Sequence, residues 1–288
     1  MASAGTREAR LAALPLGRRT LVMGIVNATP DSFSGDGCGE DVDRAVRRGL
    51  EHVAAGADLL DVGGESTRPG AEPVPAEVEL RRVVPVIREL ARRVEVPISV
   101  DTYKSEVAEA ALEAGASIVN DVWGLGRDPR IADVAARYGA VLVVTHNRAA
   151  AARVDALGGL YPEVAYADVV AEVAEGLRRA AARAESRGVP RDRIWVDPGL
   201  GFGKTPAQSL ELLRRLRELA LGYPLLVGPS RKSFLGRVLG LPVGERLEGT
   251  AAAVALAVAG GADVVRVHDV QAMVRVVRVA DAVVRGWP

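Results

Sequence analysis

LVMGIV (21–26) is an unbroken apolar run rich in β-branched side chains, and runs of its kind return along the whole chain. DLLDVG (58–63), PISVD (97–101), SIVNDV (117–122) and VLVVTH (141–146) follow it, then RIWVDP (193–198), PLLVGPS (224–230) and DVVRVHD (263–269). Short runs with so little polar alternation predict strands covered on both faces, as in a parallel sheet. Parallel neighbours need long crossovers, and the stretches between the runs have helical spacing. Across 76–94, Val78, Val83, Val86, Ile87 and Leu90 fall on one face. Eight strand and helix units in alternation predict an α/β protein of one domain, a (β/α)8 TIM barrel over 20–288. A doubly wound open sheet competes, but no GxGxxG follows the first run and no linker divides the chain.

Composition narrows the class. With 288 residues, 49% hydrophobic, 26% charged and 37 residues of each sign, the chain reads as globular, with no excess charge for a nucleic-acid or membrane surface. Cys38 is the only cysteine, so no internal disulfide can form and a cytoplasmic location is expected. Residues 1–19 lack a long apolar stretch and are expected to form a flexible leader. The most apolar segment, GTAAAVALAVAGG (249–261), falls short of the ~20 residues a membrane span needs and predicts a buried helix.

Polar residues gather where the apolar runs end: Asn27, Asp61, Asp101, Asn120 with Asp121, His146, Asp197, and finally Arg266, His268 and Asp269. In a barrel these ends converge on one mouth. Burying them unpaired would cost roughly 2 kcal/mol or more per group, so a polar ligand is expected there. Taken singly, each has a plainer reading. Asn27 opens NATPDSFSGDG (27–37) and suits a turn equally well, but Phe33, a large aromatic in a Ser/Gly/Asp loop, predicts a lid. GGESTRPG (63–70) places Thr67, Arg68 and Pro69 in a loop that could also be merely solvated. Asp101 and Asp197 could each cap a helix. Alternatively, their carboxylates could accept paired hydrogen bonds from the amidine-like edge of a pteridine or guanine, with Asn120 as donor and acceptor.

DPGLGFGKT (197–205) is no Walker loop, because Pro198 stands where that loop needs glycine. Lys204 is therefore expected to be an ordinary loop residue, and the glycines to let backbone approach a flat ring. GPSRKSFLG (228–236) carries Arg231, Lys232 and Ser233; lysines at only 104, 204 and 232 make Lys232 read as chosen for its compact charge. Arg266 and His268 alternate to one side of their strand and predict a pyrophosphate seat, the alternative being a core histidine.

In this order, NATPDSFSGDG, DVGGESTRPG, SVDT, IVNDV, DPGLGFGK, GPSRKS and RVHD resemble the successive signatures of the dihydropteroate synthase family of folate biosynthesis, from about residue 24 to residue 270. The resemblance implies condensation of 6-hydroxymethyl-7,8-dihydropterin pyrophosphate with para-aminobenzoate, with Mg2+, in a homodimer. It implies that Asp101, Asn120, Asp197 and Lys232 hold the pterin, and that Asn27, Arg266 and His268 hold pyrophosphate, Asn27 also holding magnesium. Phe33, Thr67, Arg68, Pro69, Arg231 and Ser233 match positions around the aminobenzoate. Lys232, Arg266, His268 and Asp101 are the implied catalytic groups. The sequence departs from the usual pattern at Asp36, shifted by one position in the lid, and at Thr145, Pro229 and Ala28, none of which removes a charge. A pterin-binding methyltransferase barrel would share Asp101, Asn120 and Asp197 but have no use for the basic pair on the last strand. A non-catalytic pterin-binding paralogue would have no use for Lys232, Arg231 and His268.

Overall fold

A computed structural model describes residues 4–29, 41–67, 71–149, 153–161 and 164–287, leaving aside the side chains of 4–7. Its strands are β1 (Leu21–Asn27), β2 (Leu59–Gly63), β3 (Ile98–Asp101), β4 (Ile118–Asp121), β5 (Val141–Thr145), β6 (Arg153–Asp155), β7 (Gly158–Leu160), β8 (Ile194–Asp197), β9 (Leu226–Val227) and β10 (Val264–Val267). β6 and β7 pair only with each other, as a hairpin. The other eight form one parallel sheet in the order β8-β5-β4-β3-β2-β1-β10-β9, and a parallel bridge between Val196 and Leu225 joins its two edges. The helices are α1 (Ala4–Ala12), α2 (Val42–Ala54), α3 (Ala76–Arg93), α4 (Ser105–Ala114) and α5 (Arg130–Tyr138), then α6 (Val169–Ser186), α7 (Pro206–Arg214), α8 (Ser233–Leu239), α9 (Leu247–Ala259) and α10 (Val270–Arg285). α2 to α9 provide the crossovers, α10 follows the last strand, and the (β/α)8 barrel expected from the alternation is the fold.

The period of two along each strand divides the interior into layers. Inward-facing Met23, Leu59, Ile118, Val143, Trp195 and Val264 form a dry cluster in the lower barrel. One step further along these strands the inward positions turn polar, as Asp61, Asn120, Thr145, Asp197 and Arg266, except on β1, where Ile25 follows Met23. Outward positions such as Leu60, Val100, Val119 and Leu142 pack beneath the helices. The chemistry is thereby confined to one end.

Two features differ from the sequence expectation. The stretch read as a flexible leader contains α1, whose Leu11 is 7% exposed and joins the inner cluster, with Leu14 and Leu16 packed against it. An open barrel floor would leave Leu21 and Leu59 facing water, so covering it removes apolar area from solvent. The hairpin of β6 and β7 was not anticipated, because its short strands are exposed or half-buried and show no apolar run.

Candidate functional site

At the C-terminal ends of the strands lies a cavity of about 520 Å³, and among its lining residues are Asn27, Thr67, Asp101, Lys232, Arg266 and His268. Arg231 and Ser233 also line it. Asn120 is the register partner of Asp101, and Asp197 that of Thr145, so both belong to the same inward layer. Phe33, Arg68, Pro69 and Asp36 lie outside the described residues.

The floor is a charged knot. Arg266 Nε donates to Asp61 Oδ2 at 2.5 Å and its Nη2 to Asp101 Oδ2 at 2.7 Å. Asn120 Nδ2 donates to the same Asp61 oxygen at 3.1 Å. Arg266 was expected at the opposite end of the ligand from Asp101; the structure bonds them directly. Asp61, fully buried, stood among the polar strand ends of the sequence but was given no role there. Its signal was a carboxylate two residues from Leu59, on the same inward side of an otherwise apolar run.

Several acceptors remain unsatisfied. Among the described residues, Asp61 Oδ1, Asp101 Oδ1, Asn120 Oδ1 and Thr145 Oγ1 are buried and make no hydrogen bond. Such orphans are costly in a native fold unless something meets them, and acceptors of this kind call for N–H donors. Burial raises the Asp101 pKa to about 7, with Arg266 opposing and Asp61 reinforcing the shift. Burial also lifts the Asp197 carboxyl above its ordinary range. The helix-cap reading fails for Asp101, since Lys104 occupies the cap position of α4. Asp197 accepts from its own loop, at Gly199 N (2.7 Å), while Thr205 caps α7.

The rim is cationic. Lys232 Nζ sits 3.8 Å from the centre of the Phe202 ring, which also lines the cavity. His268 Nδ1 lies 3.0 Å from Ser230 Oγ, which holds the ring beside Arg266 rather than in an apolar core. Arg231 forms a two-point ion pair with Asp269, at 2.6 and 3.0 Å. Thr67 follows Glu65, a cavity residue that accepts from Tyr103 Oη at 3.0 Å and Lys104 Nζ at 2.5 Å; this pair anchors the base of the second loop.

Not every polar strand end joins the site. Asp121 accepts from Trp123 N and Leu125 N in its own turn, and His146 faces α6 at Gly176. Both stand one residue beyond an inward position, and the pleat sends them outward. Lys204 is buried, not an ordinary loop residue: its Nζ donates to the carbonyls of His146, Gly199 and Phe202 and lies 3.1 Å from His146 Nδ1. Burial pushes its pKa down to about 7 and that of His146 to about 3. Gly199 adopts φ +67°, and a Cβ there would lie 2.1 Å from the His146 carbonyl oxygen. This glycine therefore serves the close approach of two loops rather than of a ligand.

Comparison with known proteins places the chain. The family described as pterin binding enzyme matches residues 23–268. The chain is 45% identical over 271 residues to the dihydropteroate synthase of Bacillus subtilis, covering 94% of this chain and 90% of that protein. It superposes with a TM-score of 0.84 on the Xanthomonas albilineans dihydropteroate synthase solved with 4-aminobenzoic acid, at 45% identity and 94% coverage of both chains. The enzyme of the same organism in complex with 7,8-dihydropteroate gives a TM-score of 0.81 at 43% identity, covering 94% of this chain and 98% of that one.

Proposed function

This chain belongs to the pterin binding enzyme family, and on that premise we propose that it acts as a dihydropteroate synthase. It joins 6-hydroxymethyl-7,8-dihydropterin pyrophosphate to para-aminobenzoate, giving 7,8-dihydropteroate and pyrophosphate. The carrying observation is the make-up of the cavity: orphaned buried acceptors beside Arg266 at the floor, with Lys232, Arg231 and His268 on the rim. A pterin edge is rich in N–H donors and its diphosphate arm is anionic, so one molecule satisfies both ends. Asp101, Asn120 and Asp197 take the ring edge, and Lys232 lies over it from Phe202. Arg266 and His268 take the diphosphate.

An aniline nitrogen is unprotonated near neutral pH and needs no strong base, so departure of pyrophosphate is the step to accelerate. The C–O bond to the methylene breaks with its electron pair leaving on pyrophosphate. The electron-rich dihydropterin spreads the resulting positive charge, Asp101 and Asp197 stabilise it, and the amine nitrogen then bonds to carbon and releases its proton. No covalent bond to the enzyme forms. Arg266 and His268 meet the charge that builds on the leaving group, an effect commonly worth about 3–4 kcal/mol per well-placed donor. Through Arg266, the same guanidinium that stabilises departure also fixes Asp101 beneath the ring. Thr67, Arg231 and Ser233 border the arylamine and help exclude water that would intercept the cation, a role in which Phe33, Arg68 and Pro69 are proposed by their match to the family's motifs alone.

Magnesium belongs to the proposal. Among the described residues no three His, Cys, Asp or Glu side chains form a metal cage, and the one cavity ligand assigned to the ion is the Asn27 side chain. That donor set fits Mg2+, which keeps waters and takes few protein oxygens beside substrate phosphates. When bound, the ion would neutralise charge on the departing pyrophosphate. A homodimer through the late helices is supported by exposed apolar side chains on α8 and α9, Val238 at 61% and Leu256 at 59%. A cytoplasmic location accords with the single cysteine, and no helix among the described residues is long and apolar enough to cross a membrane.

The test is a coupling assay with both substrates and Mg2+. Formation of 7,8-dihydropteroate is expected; its absence from a preparation that still binds pterin would leave only a binding protein.

A further inference from the structure

Arg246 belongs to none of the groups assigned above, yet it borders the cavity and is only 2% exposed. A guanidinium carries five N–H donors, and here every one is spent on a backbone carbonyl. Nε donates to Leu241 O (3.2 Å), Nη1 to Arg231 O (3.0 Å) and Lys232 O (3.3 Å), and Nη2 to Leu157 O (3.1 Å) and Leu241 O (3.2 Å). These carbonyls come from separate pieces of chain: the turn between β6 and β7, the loop after β9, and the segment after α8. Gly236 makes room for the flat group, since a Cβ there would lie 2.3 Å from Arg246 Nη2.

Arg231 has φ +56°, in the left-handed region that a non-glycine residue enters at a cost. Its carbonyl is fixed by Arg246 and its amide donates to Thr250 Oγ1 at 3.1 Å, Thr250 being fully buried. The strained residue is thus clamped from both sides. Lys232 and Ser233 follow it directly, so the direction in which they enter the cavity depends on that clamp.

We propose that Arg246, assisted by Thr250, is a positioning residue that locks the 231–233 loop and the 153–160 hairpin into one wall around the arylamine. The assignment rests on the synthase reading of the site. A lysine cannot substitute, because its three donors radiate from one point and cannot reach carbonyls spread along a planar fork.

Steady-state kinetics with both substrates would be compared for the wild type, Arg246→Lys and Thr250→Val, each checked for folding by circular dichroism. Product formation by the wild type tests the synthase reading by itself. In Arg246→Lys the KM for para-aminobenzoate should rise about tenfold with kcat within about threefold, and Thr250→Val should show a smaller rise of the same kind. A substitution that merely destabilises lowers the active fraction, hence apparent kcat, and leaves KM alone. An active wild type with unchanged KM in both variants would overturn the inference. If Arg246→Lys does not fold, Thr250→Val decides on the same criterion.

Discussion

Arg266 shows how one side chain serves structure and chemistry together. It holds two buried carboxylates, Asp61 and Asp101, within hydrogen-bonding distance of each other's partner. Arg266→Gln strips that shared cation away. It should cost about 3–5 kcal/mol of stability in urea denaturation, since breaking a buried pair strands its partners. It should also lower kcat by about 10²–10³. Unchanged stability would contradict the knot. Asp101 yields a pH prediction. Its pKa is raised to about 7, chiefly by burial, and only the ionised form accepts paired bonds from the pterin edge. Affinity must therefore fall as pH drops through that value. Calorimetry with dihydropterin should give a Kd at about pH 6 up to roughly tenfold weaker than at about pH 8; a flat profile would argue against the ionised contact.

Elements show where stability and activity part. α1 closes the barrel floor far from the cavity, so Leu11→Ala should cost about 2 kcal/mol or more of stability. The same variant should leave both KM values unchanged, which thermal melts and kinetics on one preparation would check. The loop between β8 and α7 works the other way. Gly199→Ala meets both a positive φ and the His146 carbonyl oxygen. The loop must move, carrying Phe202 and the Lys204 anchor with it, so pterin affinity should drop at least about tenfold in direct binding measurements.

For the whole molecule, the mouth collects charge from several strands, and removal of divalent metal tests that gathering. On the proposed assignment, which gives the ring to Asp101 and the ion to the cavity residue Asn27, chelation should abolish turnover while leaving binding of a pterin without its diphosphate intact. Equal loss of both would place the ion elsewhere.

The barrel, its strands and most of the cavity were legible in the chain because alternation along a strand and apolar runs between helices are local properties that buried parallel sheets impose on sequence. That Asp101, Asn120, Asp197 and Arg266 sit together on the inward layer was readable for the same reason: strand ends are marked, and in a barrel they meet. Partnership was not readable. That Arg266 pairs with Asp101 across 165 positions, that Asp61 completes the knot, that Lys204 and Arg246 reach carbonyls of other loops, and that α1 fills the floor are facts of distance between remote segments. A residue's type and spacing determine which way its side chain leaves the backbone; what it meets there is decided only when the ring closes and remote segments come within hydrogen-bonding reach.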